Sequence, residues 1–464
     1  MYCGCSADYA NAEPNTHVCP VCLGLPGALP VINRAAIETV LRTGLALGCT
    51  IPDHCKLDRK NYVYPDLPKG YQISQYDLPL CVDGVLEFGV DGDTRRAGIT
   101  RVHIEEDTGR LLHDSAGIQQ ASLVDLNRSG VPLMEIVGDP DLRSPEEARE
   151  YLVALRRILR YIGASTGNME EGAFRCDANI SIRARDGGYI GPKVEIKNMN
   201  SFRAVERALR FEEERQRSVN AGGGTLVQET RGWVDGTGRT VSQRTKEQAH
   251  DYRYFPEPDL PPLQTTDTIR ETIRSALPEM PQMRLRRFID AFGLAPADAA
   301  VLTNERAIAD VFESAASTFS DVAEYRAVSN WIINDIMGLA RARAFAADEL
   351  PLSAGQIGEL VALVLDGSLT GRAAKDVLPQ MEADERPVHA AKRLNLLSMD
   401  DDDAVTAAVN DAIAANPDVV ADYRGGKKAA LGRLIGESMK RTEGRAKPDV
   451  VRAALTSMLD SETR

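Results

Sequence analysis

Four of the eight cysteines crowd into the opening segment as Cys3-x-Cys5 and, after thirteen further residues, Cys19-Pro-Val-Cys22. Two close thiolate pairs, each on a tight turn, can present four sulfurs tetrahedrally to Zn²⁺. Ordinary buried cysteines or a redox Cys-x-x-Cys are the alternatives, and the paired spacing favours zinc. Four sulfur ligands leave no open position, so such an ion is structural. Cys49, Cys55, Cys81 and Cys176 stand alone and read as packing residues.

Carboxylates at strand ends form a second group. Alternation along Ile99–Asp107 puts Val102, Ile104 and Glu106 on one side and Arg101, His103 and Glu105 on the other. In Pro132–Val137, Glu135 shares a face with Leu133 and Val137. Both strands set a carboxylate in line with apolar residues, which is costly unless the charge is paired or metal-bound. Hard oxygen ligands suit Mg²⁺, the usual partner of nucleotide phosphates. Salt-bridged glutamates are the other reading. Arg175–Arg183 and Lys193–Asn198 each carry a polar face with Arg, Lys, Asn and carboxylates, either plain surface or a face for phosphates and a charged substrate.

Between Arg424 and Lys447 eight basic residues face only Glu437 and Glu443, in a chain whose net charge is −13. An acidic surface repels nucleic acid, so RNA contact requires such a local patch. The turn Arg424-Gly-Gly-Lys427-Lys428, with Lys440 and Arg441 beyond, suits a phosphate backbone; a merely solvated helix face is the alternative. No GxxxxGK[ST], GxGxxG or GxSxG motif is present, so a bound nucleotide would not use a P-loop or Rossmann unit.

The elements that position these groups follow from periodicity. Val82–Val90, Gly98–Glu106, Leu133–Val137, Ala178–Arg183 and Lys193–Asn198 alternate apolar with polar, the period of half-buried strands. Asp91-Gly92 between the first two predicts a hairpin turn. Ser144-Pro145-Glu146-Glu147 opens a helix lined by Ala148, Leu152, Leu155, Ile158 and Leu159. Four prolines in Phe255–Pro262 predict a domain exit, followed by Ala/Leu-rich helical sequence. Three amphipathic helices end the chain, lined by Val405 to Ile413, Leu431 to Met439 and Val451 to Met458. The 464 residues suggest about three domains. We expect them at 1–264, 265–396 and 397–464. No stretch reaches the roughly 18 apolar residues of a membrane span, and no basic-then-apolar leader opens the sequence. The expected location is cytoplasmic.

Six long motifs resemble, in order, those of the B subunit of the aspartyl/glutamyl-tRNA(Asn/Gln) amidotransferases. They are Asp58–Ser74, Gly98-Ile-Thr-Arg-Val-His-Ile-Glu-Glu-Asp107, Ser122-Leu-Val-Asp-Leu-Asn-Arg128, Glu170–Asn179, Glu195–Phe202 and Asp251–Asp259. The resemblance runs from the first residue to the last helix. It implies an α+β fold: a glutamine-synthetase-like antiparallel-sheet cradle, then an all-α helical domain and a small helical tail that contacts tRNA.

It also implies a reaction. Such subunits use ATP and Mg²⁺ to phosphorylate the side-chain carboxylate of Glu on tRNA(Gln) or Asp on tRNA(Asn). Ammonia released by the amidase (the A subunit) then forms the amide, and a small C subunit completes the heterotrimer. On the matching positions the resemblance implies Glu106 and Glu135 as catalytic Mg²⁺ carboxylates, Cys3, Cys5, Cys19 and Cys22 as zinc ligands, and Arg59, Lys60, Arg175 and Lys197 as phosphate or substrate contacts. Arg424, Lys427, Lys428, Lys440 and Arg441 are the expected tRNA contacts. Members of the family carry a Glu-x-His strand ahead of the segment matching Met1-Tyr2-Cys3. Either the start of the sequence is assigned too late or the chain is trimmed there; were the strand truly absent, the cradle would be one strand short and Glu106 and Glu135 alone would hold Mg²⁺ weakly. The competing functional reading is a non-catalytic, zinc-stabilised adaptor that positions tRNA beside an amidase. A further alternative has the tail helices touch another protein of the complex instead of RNA.

Overall fold

Asp91 and Gly92 both take left-handed backbone, with φ of 52° and 89°, the conformation a two-residue type I′ hairpin demands. They join strand Cys81–Val90 to strand Asp93–Glu106, and Pro132–Gly138 pairs on the far side of the latter. The result is a three-stranded antiparallel sheet with Asp93–Glu106 at its centre. The computed structural model describes all residues except 114–121, 185–186, 189, 246–250, 383, 399–401 and 462–464.

Alternation located these strands well, but the burial differs from a one-sided sheet. Val102 to Glu106 are buried without a break, so both faces of this strand end are covered. Helix Arg34–Ala46 packs against the centre strand, and helix Pro145–Tyr161 packs against Cys81–Val90. Ser144 caps the latter helix by accepting from Glu147 N at 3.1 Å. Phe88 of the sheet meets Tyr151 of the helix edge-on at 5.8 Å. Leu80, Ile99 and Ile104 are sealed in this core, each burial contributing about 1.5–3 kcal/mol.

Two further sheets flank it in sequence. Asp58–Asn61 lies between Tyr71–Ser74 and Phe255–Pro256, all antiparallel. Pro256, which cannot donate to a ladder, sits on the edge strand. Ala178–Ile180, Val194–Lys197, Glu229–Val234 and Arg239–Thr245 make a four-stranded sheet whose middle pair is parallel. The proline-rich segment folds back through these pairings. Leu263-Gln264 pairs with His54-Cys55, and helix Asp267–Ser275 packs on Arg34–Ala46. The first compact unit runs Met1–Met280 and the second Pro281–Arg464.

The described elements of the second unit are all helices, with no strand among them. One core gathers Phe288, Phe312, Ile332 and Leu360, with Phe292 edge-on to Phe288 at 5.4 Å. A separate core gathers Val405, Val409, Leu434, Val451 and Leu455. Among its described residues the tail holds four helices where three were expected: Asp402–Ala415, Pro417–Arg424, Ala430–Arg441 and Pro448–Ser461. Pro417 reads as a breaker in sequence, yet it sits at the first helical position, where its missing N–H costs nothing. Across the described residues, no helix is long and apolar enough to cross a membrane.

Candidate functional site

The four N-terminal sulfurs converge. Cys3 Sγ lies 3.3 Å from Cys22 Sγ, Cys19 Sγ 3.6 Å and Cys5 Sγ 3.7 Å. A tetrahedron of four sulfurs at a metal–sulfur distance of about 2.3 Å has edges of about 3.8 Å, so the cluster could hold one metal ion. Burial pushes the Cys5 thiol up to about 11. Burial also opposes the Cys19 thiolate, but backbone donors from Cys22 and Val21 outweigh it and hold Cys19 at about 7.

The cysteine loop is clamped onto the Ser122–Arg128 motif. His17 N donates to Asn127 Oδ1 at 2.7 Å, Asn127 Nδ2 donates to Glu13 O at 2.8 Å, and Leu126 N donates to Asn15 Oδ1 at 2.8 Å. The next residue, Arg128, reaches inward, its Nε 3.4 Å from Asp107 Oδ2. Arg175 forms a close ion pair with the same carboxylate.

The second convergence is His103, Glu105 and Glu135, whose ligand atoms all lie within 4.8 Å of one another. His103 stands directly opposite Glu135 in the ladder, and Glu105 lies two residues along the same face. His103 Nε2 is 3.6 Å from Glu135 Oε2 and 4.0 Å from Glu105 Oε2. Ser74 Oγ donates to Glu105 Oε2 at 3.1 Å, and Lys60 Nζ lies 3.9 Å from the same oxygen. Burial, reinforced by Arg101 and Lys60, lowers His103 to about 3, so its ring is neutral. Burial also raises Glu105, with Glu135 adding to the rise and Lys60 opposing it.

Two carboxylates and a neutral imidazole fit a divalent cation. The carboxylates supply hard oxygens, and a shared cation relieves their mutual repulsion. His103 Nδ1 is buried without a hydrogen-bond partner, and Glu135 is 46% exposed, which leaves one side of the group open to solvent.

The expected pair of Glu106 and Glu135 is not brought together. Glu106 lies three positions beyond His103, an odd offset, so the two-residue period sends it to the opposite face. There its side chain is 1% exposed and fully engaged: Lys69 Nζ donates to Oε2 at 2.6 Å and Ile73 N to Oε1 at 2.8 Å. Glu105 occupies the place that Glu106 was expected to fill.

Of the four expected phosphate contacts, only Lys60 touches a carboxylate of this group. Arg59 forms a two-pronged pair with buried Glu257 at 2.7 and 2.8 Å and lies 4.3 Å over the Tyr71 ring. Arg175 is held by Asp107, and Lys197 Nζ donates to Asp177 at 2.7 Å on the four-stranded sheet. His103 and Glu105 were within reach of sequence reasoning, because His-x-Glu on one strand places both side chains on one face. Aromatic rings that were not foreseen crowd the same region. Lys60 Nζ sits 5.1 Å over Tyr252, Tyr252 meets Tyr254 at 6.2 Å, and Tyr254 stacks on Tyr76 at 4.5 Å. Burial raises the Tyr254 hydroxyl, and the charges of Glu105 and Glu135 raise it further.

In the tail, Arg424, Lys427, Lys428, Lys440 and Arg441 are all exposed. Tyr423, Arg424, Gly426, Lys428 and Asp460 line a cleft of about 330 Å³. Lys427 is partly neutralised by Asp422 at 2.8 Å. Arg445 and Lys447 turn inward: Arg445 Nη1 donates to Asn395 at 3.4 Å, and Lys447 lies against Gly367.

Residues 1–271 match the family model described as the GatB/GatE catalytic domain, and residues 310–459 match the GatB domain. The chain is 55% identical to the B subunit of the aspartyl/glutamyl-tRNA(Asn/Gln) amidotransferase of Thermomicrobium roseum, over 99% of this chain and 95% of that protein. It is 50% identical to the protein of the same name from Moorella thermoacetica, over 99% and 96%. The corresponding protein of Roseiflexus castenholzii is 51% identical over 100% and 96%. With both halves of its sequence matched and identity of this level over its whole length, the chain belongs to the B-subunit family of the aspartyl/glutamyl-tRNA(Asn/Gln) amidotransferases.

Proposed function

We propose that this chain is the activating subunit of a tRNA-dependent amidotransferase. It uses ATP to phosphorylate the side-chain carboxylate of Glu on tRNA(Gln), or of Asp on tRNA(Asn). The grouping of His103, Glu105 and Glu135 beside Lys60 carries this reading. A carboxylate oxygen of the aminoacyl group attacks the γ-phosphorus and ADP leaves. Ammonia then attacks the acyl carbon, and phosphate leaves with its electron pair. Activation is needed because a carboxylate offers only an oxide as leaving group.

Glu105 and Glu135, with His103 Nε2, would hold Mg²⁺, which when bound neutralises charge on the phosphate oxygens. Lys60 places a further positive charge at the edge of the same group. Ser74 fixes the Glu105 carboxylate by its hydroxyl, and the neutral His103 keeps a second positive charge out of the buried strand end. The Lys69–Glu106 pair on the other face serves to tie the Tyr71–Ser74 strand to the centre strand.

The four-cysteine loop would hold a structural zinc. Through Asn127 and Arg128 it would brace Asp107, the residue next to the acidic strand end. The exposed basic residues of the tail, Arg424, Lys428, Lys440 and Arg441 with Lys427, would track the tRNA backbone. The glutamine-synthetase-like cradle, an amidase partner (the A subunit) as ammonia source, a small C subunit and a cytoplasmic location belong to the same proposal.

The test is ADP formation by the assembled complex with misacylated tRNA. Glu105→Gln should abolish acyl-phosphate formation while leaving tRNA binding intact. Unchanged amidation by that variant would favour the non-catalytic adaptor.

A further inference from the structure

Tyr76 and Tyr254 stack face to face, their ring centroids 4.5 Å apart and their planes 14° from parallel. Tyr76 is 56% exposed, so the pair leaves aromatic surface open to water. Its backbone is fixed nonetheless: Tyr76 N donates at 3.1 Å to the carboxylate of Asp58, which is fully buried and itself paired with Lys56 at 2.6 Å. The stacked, solvent-facing ring offers a flat surface that a further planar group can cover.

The position of the pair says what that is. Tyr76 lies two residues beyond Ser74, whose hydroxyl binds Glu105. Tyr254 touches Tyr252, which carries Lys60 on its face, and Lys60 neighbours Glu105. The stack therefore borders the acidic group on two separate chain paths. Both substrates of the proposed reaction present a purine ring: ATP carries adenine, and a tRNA ends in adenosine at the ribose that bears the amino acid. Flat aromatic rings bind bases by stacking without reading their edges.

We propose that the Tyr76–Tyr254 stack is a platform for the adenine ring of a substrate whose reactive end lies at His103, Glu105 and Glu135. The inference rests on the phosphoryl-transfer reading of that group. Tyr76 acts here as a positioning residue: it holds the base and takes no part in bond making.

The test uses the assembled complex with Tyr76→Ala and Tyr76→Phe. ATP is titrated at saturating Glu-tRNA, then Glu-tRNA at saturating ATP, with ADP formation as readout. Removal of one stacked ring should raise one of the two KM values about 5- to 150-fold, equal to about 1–3 kcal/mol. The kcat should change far less, and Tyr76→Phe should restore the wild-type KM. A rise confined to ATP assigns the platform to the nucleotide; a rise confined to Glu-tRNA assigns it to the terminal adenosine. Unchanged KM values in Tyr76→Ala, or equal losses in Tyr76→Phe, overturn the platform while wild-type turnover keeps the phosphoryl-transfer reading. A wild-type complex that forms no ADP with misacylated tRNA removes both.

Discussion

His103 and Glu135 face each other across two antiparallel strands, with His103 Nε2 3.6 Å from Glu135 Oε2. That single register decides which carboxylates share a face. It joins Glu135 to Glu105 and leaves Glu106 on the far side with Lys69.

The two glutamates of the Glu105-Glu106 pair should therefore fail in different ways. Glu106→Ala leaves Lys69, whose side chain is only 11% exposed, without its partner, and breaking a buried pair costs up to roughly 3–5 kcal/mol. Thermal unfolding should shift down by several degrees. Glu135→Gln removes a half-exposed carboxylate, so its stability should stay within about 0.5 kcal/mol of wild type. Equal midpoints for Glu106→Ala and wild type would refute the assignment of Glu106 to structure.

Removal of zinc should loosen the loop without emptying the acidic group. Metal analysis of the purified chain should find about one equivalent of zinc, absent from Cys19→Ser and Cys22→Ser. Because the loop hangs on Asn127, these variants should also become sensitive to proteolysis between residues 5 and 19. Full zinc content in Cys22→Ser would count against the four-sulfur site.

Asn127 is buried and bonds both His17 N and Glu13 O. Asn127→Ala leaves the His17 N–H without its acceptor, at about 1–3 kcal/mol, and takes from Glu13 O one of its two donors, the other being the Thr16 hydroxyl. Its unfolding midpoint should fall while its zinc content stays near wild type. Calorimetry together with metal analysis separates this clamp from the ion itself.

How far the sequence carried these conclusions differs by level. The hairpin at Asp91-Gly92, the cap at Ser144 and the sulfur cluster were legible, because each is set by residues close in sequence. The pairing of Glu135 with His103 was not. Alternation tells which residues of one strand share a face, but not which residue stands opposite on the next strand. The clamp of Asn127 on the cysteine loop escaped for the same reason, since its partners lie more than a hundred residues away. The helix at Pro417–Arg424 was missed because proline signals both a break and a helix start.

Charge in the tail should be felt by RNA and not by the acidic group. Lys428→Glu with Lys440→Glu should weaken tRNA binding and lower the salt dependence by about one unit of slope for each phosphate no longer neutralised. Arg445→Ala, at a half-buried residue bonded to Asn395, should lower stability more than tRNA affinity. Filter binding across a salt series gives the slopes. An unchanged slope in the double variant would assign these helices to a protein interface within the complex.

ADP formation that depends on misacylated tRNA, compared between wild type and Glu135→Gln in the assembled complex, tests the central claim most directly. Loss of a direct cation ligand should depress it more than about 100-fold, beyond the effect of disturbing a ligand's supporting residues. Glu135→Gln forming ADP and amidated tRNA at the wild-type rate would contradict the claim that this acidic group performs the activation.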